Sequence, residues 1–417
     1  MNIFYNLFFP FWTLLNFITT VYCLYEACLA CACFFKRKPL PEATKNHRFA
    51  AVIAARNEEA VIENLIESLQ MQDYPPELID IVVVADNCDD DTALVAEKAG
   101  AIVYKRFNKV EIGKCYVLKF AFEKIFEEHD VYDAVCVFDA DNVVKRDFFH
   151  EMNKALCAGY HVAQGYRDMK NPTDTWVSGG HSIFYWAENR FYNASRSFLG
   201  LSATINGTGF MVTTDLIKKQ GWELNTLTED LEFTMQCVLN GERIGYVPEA
   251  IVYDEQPITM QQSVRQRIRW TNGYMQCFIK FCPAYIRKIV KKPNWVLCDM
   301  FMFLAYFPAV VIGLMSLLFY FVMAIMRVID PGGLSINILI LLGVAVVSFW
   351  VMAVGAILLE KKKSKKLLKA VLTYPIFNFT WIVIYFSCFF KRSGEWKPIE
   401  HIRSISIKDM DTDKAKS

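Results

Sequence analysis

Four long stretches almost without charge, separated by ordinary mixed sequence, constrain this chain before anything else. Residues 7–35 contain one acid, Glu26, and no Lys or Arg; 295–326 contain only Asp299, 334–359 no charge, and 367–390 only Lys369. A helix needs about 20 apolar residues to cross a bilayer, so each stretch is long enough. The middle, roughly 45–290, has mixed composition and is large enough for one substantial core. With 54% hydrophobic residues, 15% aromatics and a net charge of +1, the chain is too apolar for an ordinary soluble protein, and no nucleic-acid partner is expected.

The first stretch lacks the basic start of a signal peptide and exceeds its apolar core, so a retained anchor is expected over 1–38. Lys36-Arg37-Lys38 and "EKKKSKK" at 360–366 belong on the inner side by the positive-inside rule. That puts the middle domain in the cytoplasm of a multi-pass plasma-membrane protein, with "RVIDPGG" at 327–333 as an external turn. If 367–390 crosses fully, Lys391-Arg392 land outside; Pro375 and Asn378 leave partial insertion open.

The 13 cysteines are scattered. Cys28, Cys31 and Cys33 lie in the first apolar stretch, where free cysteine behaves as a small hydrophobe. The others fit reduced cytosolic thiols better than a disulfide frame. A polar tail is expected over 393–417, disordered after about Ile405.

From Phe49 onward short apolar runs alternate with helical patterns. "FAAVIAA" (49–55) reads as a buried strand, and Val61, Ile62, Leu65, Ile66 and Leu69 then keep helical spacing. Strands at 80–85, 101–105 and 134–138 follow, with helices near 91–99 and 114–127 between them. This order predicts an α/β fold with a largely parallel, doubly wound sheet, whose ligands bind beyond the carboxyl ends of the strands.

Those ends carry "ARNEE", "DNCDDD" and "DADN". Neither G-x-G-x-x-G nor G-x-x-x-x-G-K-[ST] occurs, so dinucleotide and P-loop chemistry are not indicated. "DNCDDD" alone reads as a solvated loop. "DADN" reads differently, because Asp139 and Asp141 follow a buried strand and a spacing of two turns both acids the same way. Paired oxygen ligands suit Mg²⁺ or Mn²⁺, with water and substrate phosphate completing the shell.

Lys114, after Gly113, opens a helix and is equally readable as a phosphate ligand or a solvated first-turn lysine. In "TED" (228–230), Thr228 is a good N-cap, and by local pattern the two acids are helix-start chemistry. "INGTGFMVT" (205–213) reads as a glycine-loosened turn entering a strand. "QSVRQRIRWTNG" stands shortly before the second apolar stretch, and "FIKFCPAYIRKIVKKP" after it reads as an interfacial helix.

In this order, "ARNEE", "ADNCDDD", "GK", "DAD", "TED" and "QRIRW" resemble a membrane-embedded family 2 glycosyltransferase with a GT-A domain. The layout is similar to that of cellulose, hyaluronan, chitooligosaccharide and poly-N-acetylglucosamine synthases. The resemblance implies a Rossmann-like GT-A domain over 45–255, a Q-x-x-R-W and interface segment over 256–293, and membrane helices over 295–392. By the same resemblance Ala55, Asn57, Glu58 and Asp86 would surround the uridine and ribose of a UDP-sugar. Lys114 would meet the diphosphate or the uracil side, and Asp139 with Asp141 would form the D-x-D, facing donor and metal. Asp230 would be the general base; Glu229, Gln266, Arg269 and Trp270 would lie toward the acceptor and diphosphate. The chain departs from the family at Ala85-Asp86, where two acids are usual.

The function so implied is an inverting, Mg²⁺- or Mn²⁺-dependent transfer from a UDP-sugar, UDP-N-acetylglucosamine or UDP-glucose, onto a growing β-linked polysaccharide. The alternative is a single transfer to a lipid-linked acceptor. A silent nucleotide-binding scaffold is disfavoured because both metal acids and the base are present. An accessory protein for export is compatible with the sequence but not required by it.

Overall fold

The computed structural model describes residues 2–35, 38–129, 131–325, 331–362, 364–390 and 405–408. A long helix, α1 (Asn2–Ala30), leads into an α/β domain. Its first half alternates β1 (Phe49–Ala55), α2 (Ile62–Gln70), β2 (Ile79–Asp86), α3 (Thr92–Lys98), β3 (Ile102–Arg106), α4 (Lys114–Glu128) and β4 (Ala134–Asp139). Then follow β5 (Val143–Val144), α5 (Phe148–Cys157), β6 (Val162–Met169), α6 (Trp176–Ala187), a π-helical segment Glu188–Ala194 and α7 (Ser195–Phe198). The domain closes with β7 (Phe210–Thr213), α8 (Thr214–Gln220), α9 (Glu229–Leu239) and β8 (Gly245–Asp254). Five long helices follow among the described residues: α10 (Met260–Lys291), α11 (Trp295–Leu304), α12 (Tyr306–Ile325), α13 (Pro331–Leu359) and α14 (Leu368–Phe390).

The eight strands form one sheet in the order β3-β2-β1-β4-β7-β6-β8-β5. β1, β2, β3 and β4 pair in parallel, and β6 pairs in parallel with β8; β7 and β5 run against their neighbours. Period-2 alternation explains why the strands are apolar throughout: Ala50 and Val52 pack against Leu118 and Phe122 of α4, whereas Ala51 and Ile53 pack against Ile62 and Leu65 of α2. The ends of β1, β2, β4 and β8 thereby share one rim.

Three helices are long and apolar enough to cross a membrane among the described residues: Phe9–Phe34, Tyr306–Met323 and Lys365–Cys388. The stretch 295–326 is not one span. It breaks at Ala305 into α11 and α12, and α11 buries Leu297, Met300 and Leu304 against Leu231 and Met235 of α9 and Phe281 of α10. Most of the expected external turn, and Lys36, Arg37, Lys391 and Arg392, lie outside the described residues.

The two acids left alone in apolar sequence meet on one arginine. Fully buried Arg196 donates to Asp299 at 3.0 Å and to Glu26 at 3.2 Å, lies over the Tyr192 ring at 3.5 Å, and Tyr25 donates to Asp299 at 2.6 Å. Lys362 of the "EKKKSKK" cluster turns inward to Asp168, which also accepts from Trp186 Nε1 at 2.9 Å. The tail is not wholly free after Ile405: Ile407 is buried against Val143 and Tyr253, and Lys408 pairs with Glu67.

Candidate active site

At the shared rim opens a cleft of about 850 Å³. β1 delivers Ala55 and the following loop delivers Glu58, while β2 ends on Asp86; all three line the cleft. Asp86 is 3% exposed and accepts from Arg106 Nη1 at 2.6 Å, so its charge is partnered although no second acid precedes it. Asn57 does not line the cleft. It takes a left-handed turn (φ 56°), and its Oδ1 accepts from the Asp89 N–H at 2.9 Å, shaping the loop instead.

β4 ends on Asp139, and Asp141 follows two residues later. Both meet a third acid, Asp254, at the end of β8: ligand oxygens of the three lie within 4.8 Å of one another. Arg167 on β6 grips Asp254 from the side, with Nε at 2.9 Å, and its guanidinium lies 4.4 Å from the Tyr185 ring centre. Burial pushes Asp254 up to about 6, with Asp141 and Asp139 adding to the rise and Arg167 opposing it. Lys114, first residue of α4, donates to Asp139 and to the Gly207 carbonyl at 2.6 Å. Burial works against its charge, but Asp139 and Glu229 outweigh it and hold the ammonium above the ordinary lysine value.

α9 begins across the cleft. Thr228 occupies the N-cap position, as its pattern suggests, but its side chain caps nothing; its hydroxyl sits 3.8 Å from Cys277 Sγ. Glu229 and Asp230 both line the cleft. Burial raises both carboxyls above their ordinary values, with Arg269 and Lys114 opposing. Gly207, at φ 82°, lets the backbone pass Asp230: a Cβ there would stand 3.3 Å from Oδ2.

Helix α10 sorts "QRIRW" by its period. Gln266, Arg269 and Trp270 share the face toward the cleft. Arg269 donates to the Leu227 carbonyl at 3.1 Å, and Gln266 Oε1 is buried without a hydrogen-bond partner. Arg267 points the other way. It is fully buried over Phe377 and Trp381 of α14, at 4.5 and 4.9 Å. From Trp270 the ring contacts continue through Phe184 to Trp381 and Tyr385 of α14 and Phe307 of α12.

Asp254 and Arg167 are absent from the sequence reading. Asp254 follows the apolar strand "IVY", so the strand-end reasoning that selects Asp139 applies to it; Arg167 carries no local signal. Glu188, at the start of the π segment, is also new: burial brings it up to about 7, with Arg167 opposing and Asp230 adding.

An open, mostly parallel sheet with an acid cluster beyond its strand ends, facing a helix-borne carboxylate, defines a GT-A glycosyltransferase. Residues 47–273 match the glycosyltransferase-like family 2 domain, and the chain belongs to that family. It is 28% identical over 280 residues to the probable glycosyltransferase YdaM of Bacillus subtilis, covering 61% of each protein. To the beta-monoglucosyldiacylglycerol synthase of Synechocystis it is 27% identical over 238 residues, 55% of this chain and 48% of that one. The chain thus spans about half to three fifths of these relatives. Among solved structures, the mannosyltransferase PcManGT of Pyrobaculum calidifontis, in complex with GDP-Man and Mn²⁺, shares the fold at TM-score 0.58 and 17% identity, over 86% of this chain and 98% of that one.

Proposed function

We propose that this chain is a membrane-held, inverting glycosyltransferase that moves one sugar from a UDP-sugar to a hydroxyl of a lipid-linked acceptor. The observation that carries it is the shared cleft of the Asp139–Asp141–Asp254 triad and Asp230. An all-oxygen triad fits Mg²⁺ or Mn²⁺. Eight carboxylates line the cleft against five cationic side chains, so an incoming diphosphate needs added positive charge. Asp139, Asp141 and Asp254 would hold the ion, which when bound stabilises charge on the departing nucleoside diphosphate.

The chain's own residues do the rest. Asp230, with its pKa raised by burial, takes the acceptor proton as the acceptor oxygen attacks the anomeric carbon and UDP leaves from the opposite side. One base suffices for this single displacement, and the anomeric configuration inverts. Glu58 and Asp86 flank the nucleoside, Lys114 and Arg269 the diphosphate, and Trp270 offers its ring to a sugar. Ile279, Ile286 and Val290 form an exposed apolar face on α10 that would rest in the lipid interface above a cytoplasmic catalytic domain.

The ring contacts that run from Trp270 through Phe184 into α14 and α12 favour a lipid-linked acceptor over a polymer passed inward. The polymer is the second reading, because Trp270 lines the cleft and offers a ring on which a growing chain would stack. Protein in nanodiscs, given Mn²⁺ or Mg²⁺, a lipid acceptor and each UDP-sugar in turn, should release UDP and yield one glycolipid. A ladder of products would move the reading to a polymer synthase. Metal-independent or absent UDP release in protein that binds UDP, across all donors and acceptors, would overturn both.

A further inference from the structure

The C-terminal tail returns to the catalytic domain at an informative place. Ile407 is 2% exposed and seated on Val143 and Tyr253, with Met71 and Ile251 beside it. Val143 and Tyr253 are register partners in the pairing of β5 with β8. Asp141 stands two residues before Val143, and Asp254 directly follows Tyr253. The residue pair under Ile407 is therefore one of the links between two of the three metal-site acids, beside Asn142, whose Nδ2 donates to Asp254 at 3.1 Å and to Asp141 at 3.4 Å. That pairing is short, since β5 has only two residues and forms the outer edge of the sheet. Two partners on one side cannot make a rigid edge by themselves. The backbone does receive help from α2, where the Ser68 hydroxyl accepts from the Val144 N–H at 3.1 Å. The apolar faces of Val143 and Tyr253, however, are closed by the tail.

We infer that the tail is a strap: Ile407, clamped on Val143 and Tyr253, is a positioning residue that holds Asp141 and Asp254 at metal-binding separation. It touches neither metal nor substrate. The exposed pair between Lys408 and Glu67 contributes little to the hold of the strap. The inference rests on the proposed divalent-cation role of the triad.

The test is Mn²⁺ titration of the full chain in nanodiscs by EPR, together with the Mn²⁺ dependence of UDP release. Residues that orient metal ligands typically change affinity by 10–100-fold, so Ile407→Ala should weaken Mn²⁺ binding about tenfold while kcat at saturating Mn²⁺ falls far less. Ile407→Val should recover most of the affinity, and Lys408→Ala should leave it unchanged. Should Ile407→Ala lower the melting temperature sharply, Mn²⁺ binding is read well below that temperature: weakened affinity in the folded Ile407→Ala protein, recovered in Ile407→Val, supports the strap. Wild-type Mn²⁺ affinity in both Ile407 variants overturns it while leaving the triad intact. Failure of the unaltered protein to bind Mn²⁺ overturns the metal reading beneath it, and the strap with it.

Discussion

Gly273→Ala tests whether the start of α9 is held by steric contact with α10. Gly273 lies one turn beyond Arg269 and Trp270, and a Cβ there would stand 2.5 Å from both Cγ2 and Oγ1 of Thr228, and 2.9 Å from its Cβ. The backbone of Gly273 is helical and accepts alanine without strain. Replacing a mid-helix glycine gains about 1 kcal/mol of intrinsic propensity. Overpacking opposes this by about 1–3 kcal/mol, so net stability changes by between nothing and a loss of about 2 kcal/mol.

The functional cost is expected to be larger. Thr228 is 8% exposed and β-branched, so the clash is relieved by moving the chain at the start of α9. Glu229 and Asp230 are the next two residues. A shift approaching 1 Å at a catalytic group costs about 100-fold, so kcat should fall by about 10- to 100-fold while the melting temperature changes little. UDP release at saturating donor and a thermal melt read the two quantities separately. Thr228→Ala removes both atoms met at 2.5 Å and breaks no capping bond, so in the Gly273→Ala background it should restore most of kcat. Wild-type kcat in Gly273→Ala, or no rescue by Thr228→Ala, would refute the reasoning.

Asp254→Asn removes a charge from the triad and weakens the grip of Arg167, so Mn²⁺ activation should require at least about tenfold more metal; an unchanged requirement would exclude Asp254 as a ligand. Burial raises Asp230 and Arg269 opposes the rise; as the proposed base it would work only when ionised, so activity should be lost as pH falls through this raised pKa. Arg269→Gln removes the opposing charge, and the acid limb of kcat should move to higher pH; an unmoved limb, or one shifted lower, would sever Asp230 from the pH profile.

What the sequence reveals and what it hides divide along physical lines. The strands at 49–55 and 134–138 are legible because both faces of a parallel sheet are covered, which forces unbroken apolar runs with polar residues only at their ends. Asp139 stands at the end of the second of these, and Asp86 at the end of β2, and both are readable for that reason. Asp254 obeys the same rule, yet its strand pairs with β6 rather than with a chain neighbour, and no local window shows that register. The division of α11 from α12 is invisible to hydropathy, since both halves are apolar and differ only in partner: α11 packs on α9 and α10 of the catalytic domain itself. Thr228 misleads because capping is a matter of side-chain direction, and the close approach of Gly273 directs this side chain elsewhere.

The isolated charges show how the membrane helices and the cleft are joined. Glu26 and Asp299 would each be costly alone among apolar residues, and Arg196 of the catalytic domain compensates both. Arg267 ties α10 to α14, and Gly179 and Gly180 bring α6 against Ala370 and Phe377 of the same helix, where a side chain at either glycine would collide. α6 in turn carries Tyr185 under Arg167, the residue that grips Asp254. A displacement of α14 therefore reaches the metal-site acids through contacts that are all close-packed, without passing through a flexible loop. α6, α10 and α14 are thus packed together beside the sheet, and on the proposed reading an acceptor held in the bilayer would meet a cleft positioned by these helices.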